Sequence, residues 1–309
     1  MPASRRTDLL LLLVAIVWGS SYLAAKTATA ATPVLTVLFV RYAISAVALL
    51  LVVRRISREE LRIGGVLGLT QAAVLILETY GVTHTSAANA GLIISLTLVL
   101  TPLLDRRRLP PRFYLAAAVC VAAVGLLMSS HGLHAPGVGD LLMLAAAVVR
   151  AGHVALVGRL ATDLRPLQLT TIQTLVGTAL FVVPAVHHLP AIPAAGWIQM
   201  AYLALFCSVF AFLVQTWAVQ RTSASRASLL LGTEPIWAVA IGITLGSEHL
   251  TTTAALGAVL LLAGTSWGQS IERRARLGAG PLLVVRSVAR SNDDGGAVAG
   301  PIGGQAAGG

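Results

Sequence analysis

The sequence predicts an all-α membrane protein of ten transmembrane helices, organised as two inverted five-helix repeats. Three observations carry that expectation. Of the 309 residues, 56% are hydrophobic and only 11% are charged, with a mean hydropathy of +0.83, whereas soluble domains carry about a quarter charged residues. The apolar residues fall into ten runs of roughly the length a bilayer requires. Two parts of the chain also echo two others at fixed offsets.

The runs lie near residues 9–26, 34–53, 63–80, 86–104, 113–129, 138–158, 168–186, 196–219, 225–246 and 253–270. Hydrocarbon offers backbone N–H and C=O groups no partner, so each run must be a helix or a barrel strand, and none alternates as barrel strands do. Connections are short and punctuated by Thr32-Pro33, Leu109-Pro110-Pro111 and Ala135-Pro136-Gly137, residue types that end helices. The chain thus divides into a tail over 1–8, repeats over 9–130 and 138–272, and a Gly-, Ala- and Ser-rich tail over 273–309 expected to be disordered. No cleavable signal peptide is expected, because the run after Arg5 and Arg6 continues through Trp18 and Tyr22 into further spans.

Arginine placement sets the orientation. With the amino terminus inside, 19 of the 22 basic residues fall on the cytoplasmic side and none in outside loops, leaving Lys26, Arg41 and Arg150. Both termini are therefore expected in the cytoplasm. The net charge of +10 becomes a topological signal, and no nucleic-acid partner is expected. Cys120 and Cys207 stand alone in separate runs, so neither a disulfide nor a metal or other cofactor is expected.

The echoes supply the repeat. Residues 78–92 match 215–229 at Thr79/Thr216, Val82/Val219, Thr85/Thr222, Ser86/Ser223, Ala87/Ala224, Ala90/Ala227 and Leu92/Leu229, an offset of 137. An offset of 132 aligns Asp8-Leu9-Leu10 with Asp140-Leu141-Leu142. Five helices per repeat place the second copy upside down. The loops agree: DRRRLPPR at 105–112 is basic, and its counterpart GSEHLTTT at 246–253 has no Lys or Arg. Inverted repeats of this kind place a binding site near the midplane between the halves.

The stretches VWGSSYLAAK at 17–26, LFVRYAISA around Arg41, SLTLVLTPLL at 95–104, GDLLMLAAA at 139–147 and TEPIWAVAIGITLGSE at 233–248 resemble the EamA-type transporters of the drug/metabolite transporter superfamily. The resemblance covers about residues 9–270. It implies a carrier of the bacterial inner membrane for small metabolites or drugs, often an exporter. Leu98 stands where that family usually has a proline, and Arg150 where its sixth helix commonly carries Trp.

Polar groups inside spans are the candidate site, because each is expensive in lipid unless paired or facing a cavity. Arg150 lies about ten residues into the sixth run, with His153 three residues on and on nearly the same face. Two readings stand for it: an ion pair with Glu234, or a guanidinium that receives the carboxylate of a substrate such as an amino acid. Arg41 and Glu78 are expected to pair, with Lys26 either joining them in one outer cluster or snorkelling to the outer interface. Gly232-Thr233-Glu234-Pro235 is expected to break the ninth helix, because proline lacks an N–H and clashes with the preceding turn. The offsets relate Trp18 to Arg150, Arg41 to Gln173, Glu78 to Gln215 and Thr97 to Glu234, with Tyr80, Trp217 and Trp237 as further aromatic walls. The expected substrate-binding set is Trp18, Arg41, Glu78, Arg150, His153, Gln215, Trp217 and Glu234, with Gly232 and Pro235 at the break.

No Walker A sequence is present, so energy coupling is expected through protons at Glu78 or Glu234. Two other classes fit the sequence less well. Gly137-Val138-Gly139-Asp140 matches the GxGD pattern of intramembrane aspartyl proteases, but Asp8, Asp105 and Asp163 are expected at the opposite membrane face, and that chemistry needs two adjacent carboxylates. A passive channel lacks a filter-like polar loop. The chain is expected not to be an enzyme, and its partners to be a small-molecule substrate and the bilayer. A GxxxG at Gly264 and Gly268 leaves monomer and homodimer open.

Overall fold

The computed structural model describes residues 3–104, 110–128, 137–161, 164–214, 231–249 and 251–271, together with Arg274. Gln215, Trp217 and, Arg274 apart, the 273–309 tail lie outside the described residues.

Every regular element among the described residues is helical: α1 Ala3–Thr29, α2 Val34–Leu50, α3 Arg58–His84, α4 Ala87–Ile94, α5 Thr97–Leu104, α6 Pro111–Met128, α7 Val138–Leu160, α8 Pro166–Ala185, α9 Ala194–Tyr202, α10 Glu234–Thr244 and α11 Thr252–Ile271. Short 3-10 and π segments follow α8 and α9. Among the described residues seven helical stretches, with Ala87–Leu104 and Ala194–Val214 each taken whole, are long and apolar enough to cross a membrane, and Val34–Leu50, Pro111–Leu126 and Glu234–Thr244 are shorter apolar helices.

Local chemistry fixes the starts. Ser57 and Glu60 form a capping box on α3, with Glu60 N donating to Ser57 Oγ at 3.1 Å and Ser57 N to Glu60 Oε2 at 2.7 Å. Ser86 caps α4 by accepting from Asn89 N at 3.0 Å. Pro166 opens α8, where a missing N–H costs nothing.

Two runs depart from the regular helix expected of them. The fourth breaks at Ser95–Leu96, where the ladder tightens to Ser95 N–Leu92 O and Leu96 N–Ile93 O, both 3.1 Å. Ser95 Oγ takes the Leu92 carbonyl at 2.7 Å, a side-chain bond that competes with the helical ladder. The eighth run swells into a π-helix over Leu203–Phe210. Ser208 Oγ donates to Leu203 O at 3.1 Å and Ser45 Oγ to Ala204 O at 3.1 Å, so two carbonyls of that widened segment take side-chain donors.

The expected break at Gly232-Thr233 is present, but not as a proline kink. A two-residue turn precedes α10, and Pro235 sits in the first turn of that helix, where its ring is tolerated. The two breaks, Ser95–Leu96 and Gly232–Thr233, lie 137 residues apart, the offset of the internal echo.

Packing brings the halves together. α3 lies against α7 and α8, α2 against α8, α1 and α4 against α10, and α5 against α7. Close approach needs glycine at several of these crossings, two of which show it plainly. A Cβ on Gly19 would stand 2.7 Å from Trp237 Cβ, and one on Gly177 2.5 Å from the Tyr42 ring. Leu92, Ile93, Met143, Met200 and Leu203 are fully buried, whereas Val47, Leu69, Val121, Val183 and Ile198 point outward. Apolar side chains both inside and outside are what a bundle solvated by lipid requires.

Candidate substrate cavity

A cavity of about 640 Å³ runs through the centre of the bundle, walled by α1, α2, α3, α7, α8 and α10. Its polar lining includes Tyr22, Arg41, Glu78, Arg150, His153 and Glu234.

Arg150 stands at its centre between two carboxylates. Its Nη1 lies 3.6 Å from Glu78 Oε1 and its Nη2 3.8 Å from Glu234 Oε2. Tyr22 OH donates to Glu234 Oε1 at 2.5 Å. The guanidinium also sits 5.5 Å from the centroid of the Trp18 ring, whose Nε1 donates to Cys207 O at 3.0 Å and so fixes the ring plane. An arginine alone at this depth would cost about 2.5–3.5 kcal/mol. Two acids and an aromatic face offset that. Trp18 and Arg150, related by the 132-residue offset, thus meet face to face.

Arg41 does not pair with Glu78 as expected. Glu78 goes to Arg150, while Arg41 Nε donates to Ser208 Oγ on the π-helix at 2.9 Å. The reason is reach across the bundle: the widened turn brings Ser208 to α2, and Glu78 faces α7 instead. His153 Nδ1 lies 2.7 Å from Thr70 Oγ1, which ties that ring to α3 at the cavity wall.

Lys26 forms a separate cluster at the far end of α1, apart from the Arg41 and Glu78 it was expected to join. Its Nζ donates to Thr85 O at 2.9 Å and to Glu248 Oε1 at 3.3 Å. Glu248 in turn accepts from Ala87 N at 2.6 Å and Ala88 N at 2.9 Å, the first N–H groups of α4. Ser247, with φ of 53°, is the residue that turns Glu248 back onto that helix end. Thr85 Oγ1 donates to Asp140 Oδ1 at 2.5 Å, adding α7 to the knot. Asp140 is therefore held by a threonine at this end of the bundle, away from the charged centre. The opposite end of the cavity is lined by Pro102, Gly158, Ala161, Leu164 and Pro166, around the connection between α7 and α8.

Of the expected substrate-binding set, Trp18, Arg41, Glu78, Arg150, His153 and Glu234 line this one cavity, while Gln215 and Trp217 lie outside the described residues. Gly232 and Pro235 flank the start of α10, and Glu234 between them enters the cavity. Sequence reasoning missed Tyr22, Ser208 and Glu248. Tyr22 was legible in principle, one helical turn after Trp18 on the same face of α1. Ser208 depends on the π-helix, and nothing in an apolar run announces one.

Helices apolar on every side around a polar, charge-lined centre define a multi-pass membrane transporter. The chain belongs to the EamA-like transporter family, whose pattern matches residues 5–130 and 137–267, within the drug/metabolite transporter superfamily. It is 26% identical over 269 residues to an uncharacterized transporter of Archaeoglobus fulgidus, covering 82% of this chain and 83% of that one. It is also 26% identical over 208 residues to the uncharacterized transporter YyaM of Bacillus subtilis, covering 62% of this chain and 68% of that one. One crystal structure superposes with a TM-score of 0.59 at 18% identity, over 88% of this chain and 99% of its own, a likeness of fold alone.

Proposed function

We propose that the protein is a secondary transporter that moves a small polar metabolite or drug-like molecule across the bacterial inner membrane, as an exporter, by alternating access between inverted five-helix repeats. In this reading all ten apolar stretches cross the bilayer and both termini are cytoplasmic. Trp18, Arg41, Glu78, Arg150, His153 and Glu234 contact the substrate. The observation that carries it is the central cavity lined by buried charges, knotted at one end by Lys26, Thr85, Glu248 and Asp140 and lined at the other by the α7–α8 connection. In this reading the arginine-rich connections lie inside, so the knotted end faces outward and the α7–α8 end faces the cytoplasm. The two family matches in tandem and the paired helix breaks support the repeat.

Glu78 and Glu234 are the groups proposed to exchange protons, since each sits in the cavity beside Arg150. A thermal-shift screen of metabolites on purified protein, followed by counterflow in vesicles, tests the proposal. Saturable counterflow that responds to a pH gradient, and loses that response in Glu78→Gln or Glu234→Gln, is expected. Non-saturable flux without counterflow would identify a channel instead.

A further inference from the structure

Among the described residues two arginines reach the cavity, and their surroundings differ. Arg150 is bracketed by Glu78 and Glu234 at 3.6 and 3.8 Å. An anion approaching it meets both carboxylates at similar range, so the cluster suits a cationic or hydroxyl group better than a second acid. Arg41 is only 8% exposed, lines the same cavity, and makes no ion pair among the described residues, Glu78 feeling its charge less than that of Arg150.

Its guanidinium is held by one edge. Nε donates to Ser208 Oγ at 2.9 Å, and because the Ser208 proton goes to Leu203 O at 3.1 Å, the serine can only accept from Nε. No hydrogen bond within the described residues engages the two Nη groups, whose end-on fork matches the two oxygens of a carboxylate. The backbone around it is secured independently, by Ser45 Oγ donating to Arg41 O at 2.8 Å and to Ala204 O at 3.1 Å. Gln71 and Gln173 line the cavity as well, and neither makes a side-chain hydrogen bond among the described residues.

We infer that Arg41, rather than Arg150, receives the anionic group of the transported molecule, a carboxylate being the best match to the fork. The inference deepens the transporter reading and rests on it. Arg41 sets specificity for the acid end of the substrate, and Arg150 with Glu78 and Glu234 faces the other end. The favoured ligand is then a small organic acid that carries an amine or hydroxyl a few bonds from its carboxylate. Gln71 and Gln173 supply neutral donors and acceptors on the same walls.

The full chain, purified in detergent, is treated with phenylglyoxal, and modification of Arg41 and Arg150 is followed by peptide mass spectrometry. Arg41 is expected to react severalfold faster than Arg150, and Glu78→Gln with Glu234→Gln is expected to raise the Arg150 rate. Benzoate is expected to slow modification of Arg41, while benzamide, its neutral near-isostere, leaves it unchanged. A faster reaction at Arg150, or equal protection of Arg41 by benzoate and benzamide, overturns the assignment. Counterflow is measured separately after the same protein is reconstituted into sealed vesicles. Loss of benzoate-specific protection with counterflow intact removes only the role of Arg41, and absent counterflow with that protection intact removes the transporter reading.

Discussion

Replacing Glu248 by Gln should open the knotted end of the cavity. In the structure one carboxylate binds both Ala87 N and Ala88 N, at 2.6 and 2.9 Å, and Lys26 Nζ at 3.3 Å. The lysine pair contributes little, because the Lys26 side chain is 37% exposed and such pairs are screened. The two backbone bonds matter more. Both are charge-assisted and lie at a helix N-terminus, where a negative charge is favoured. Glutamine keeps one acceptor oxygen and turns an NH₂ toward the other N–H, so one such bond is lost, about 1.5–3 kcal/mol. That energy shifts a two-state equilibrium roughly ten- to a hundredfold toward the state in which this end is open. The assay places a single cysteine at Ser21, which lines the cavity, with buried Cys120 and Cys207 replaced by Ala. Intact cells are then exposed to a membrane-impermeant maleimide. Labelling should be slow with Glu248 present and about tenfold faster in Glu248→Gln, with a smaller rise in Lys26→Met. Equal labelling rates with and without Glu248→Gln would refute the idea that this carboxylate holds the end closed.

Three further outcomes follow from the packing. Arg150→Ala leaves Glu78 and Glu234 buried without their cation and should destabilise the protein by about 3–5 kcal/mol, seen as a lowered Tm, whereas the triple change Arg150→Met, Glu78→Gln, Glu234→Gln should recover most of that loss. Gly177→Ala drives a methyl group to within 2.5 Å of the Tyr42 ring and should cost about 1–3 kcal/mol; an unchanged Tm would show that α2 and α8 can separate at no cost. Ser57→Ala removes half of the capping box on α3 and should lower stability by about 1 kcal/mol, with little effect on counterflow because Ser57 is not among the residues that line the cavity.

The sequence by itself determined the class and most of the candidate site. Composition and run length dictate apolar helices because a bilayer leaves the backbone no other partner, and ionisable residues stand out against such a background because each needs a reason to be there. Arg41, Glu78, Arg150, His153 and Glu234 were legible on those grounds and Trp18 through its offset to Arg150, and all line one cavity. Which charge meets which was decided only by the tertiary structure. Run depth placed Arg41 and Glu78 as partners, yet depth is one coordinate, and pairing also depends on the rotation of each helix about its axis. The π-helix at Leu203–Phe210 carries Ser208 to Arg41, and Glu78 is left to Arg150. The break at Ser95–Leu96 was hidden for a related reason: no proline or glycine marks it, and a serine hydroxyl taking the Leu92 carbonyl accompanies it. Glu248 looked like part of a plain outer loop until the fold set it against the first N–H groups of α4, more than 150 residues earlier in the chain.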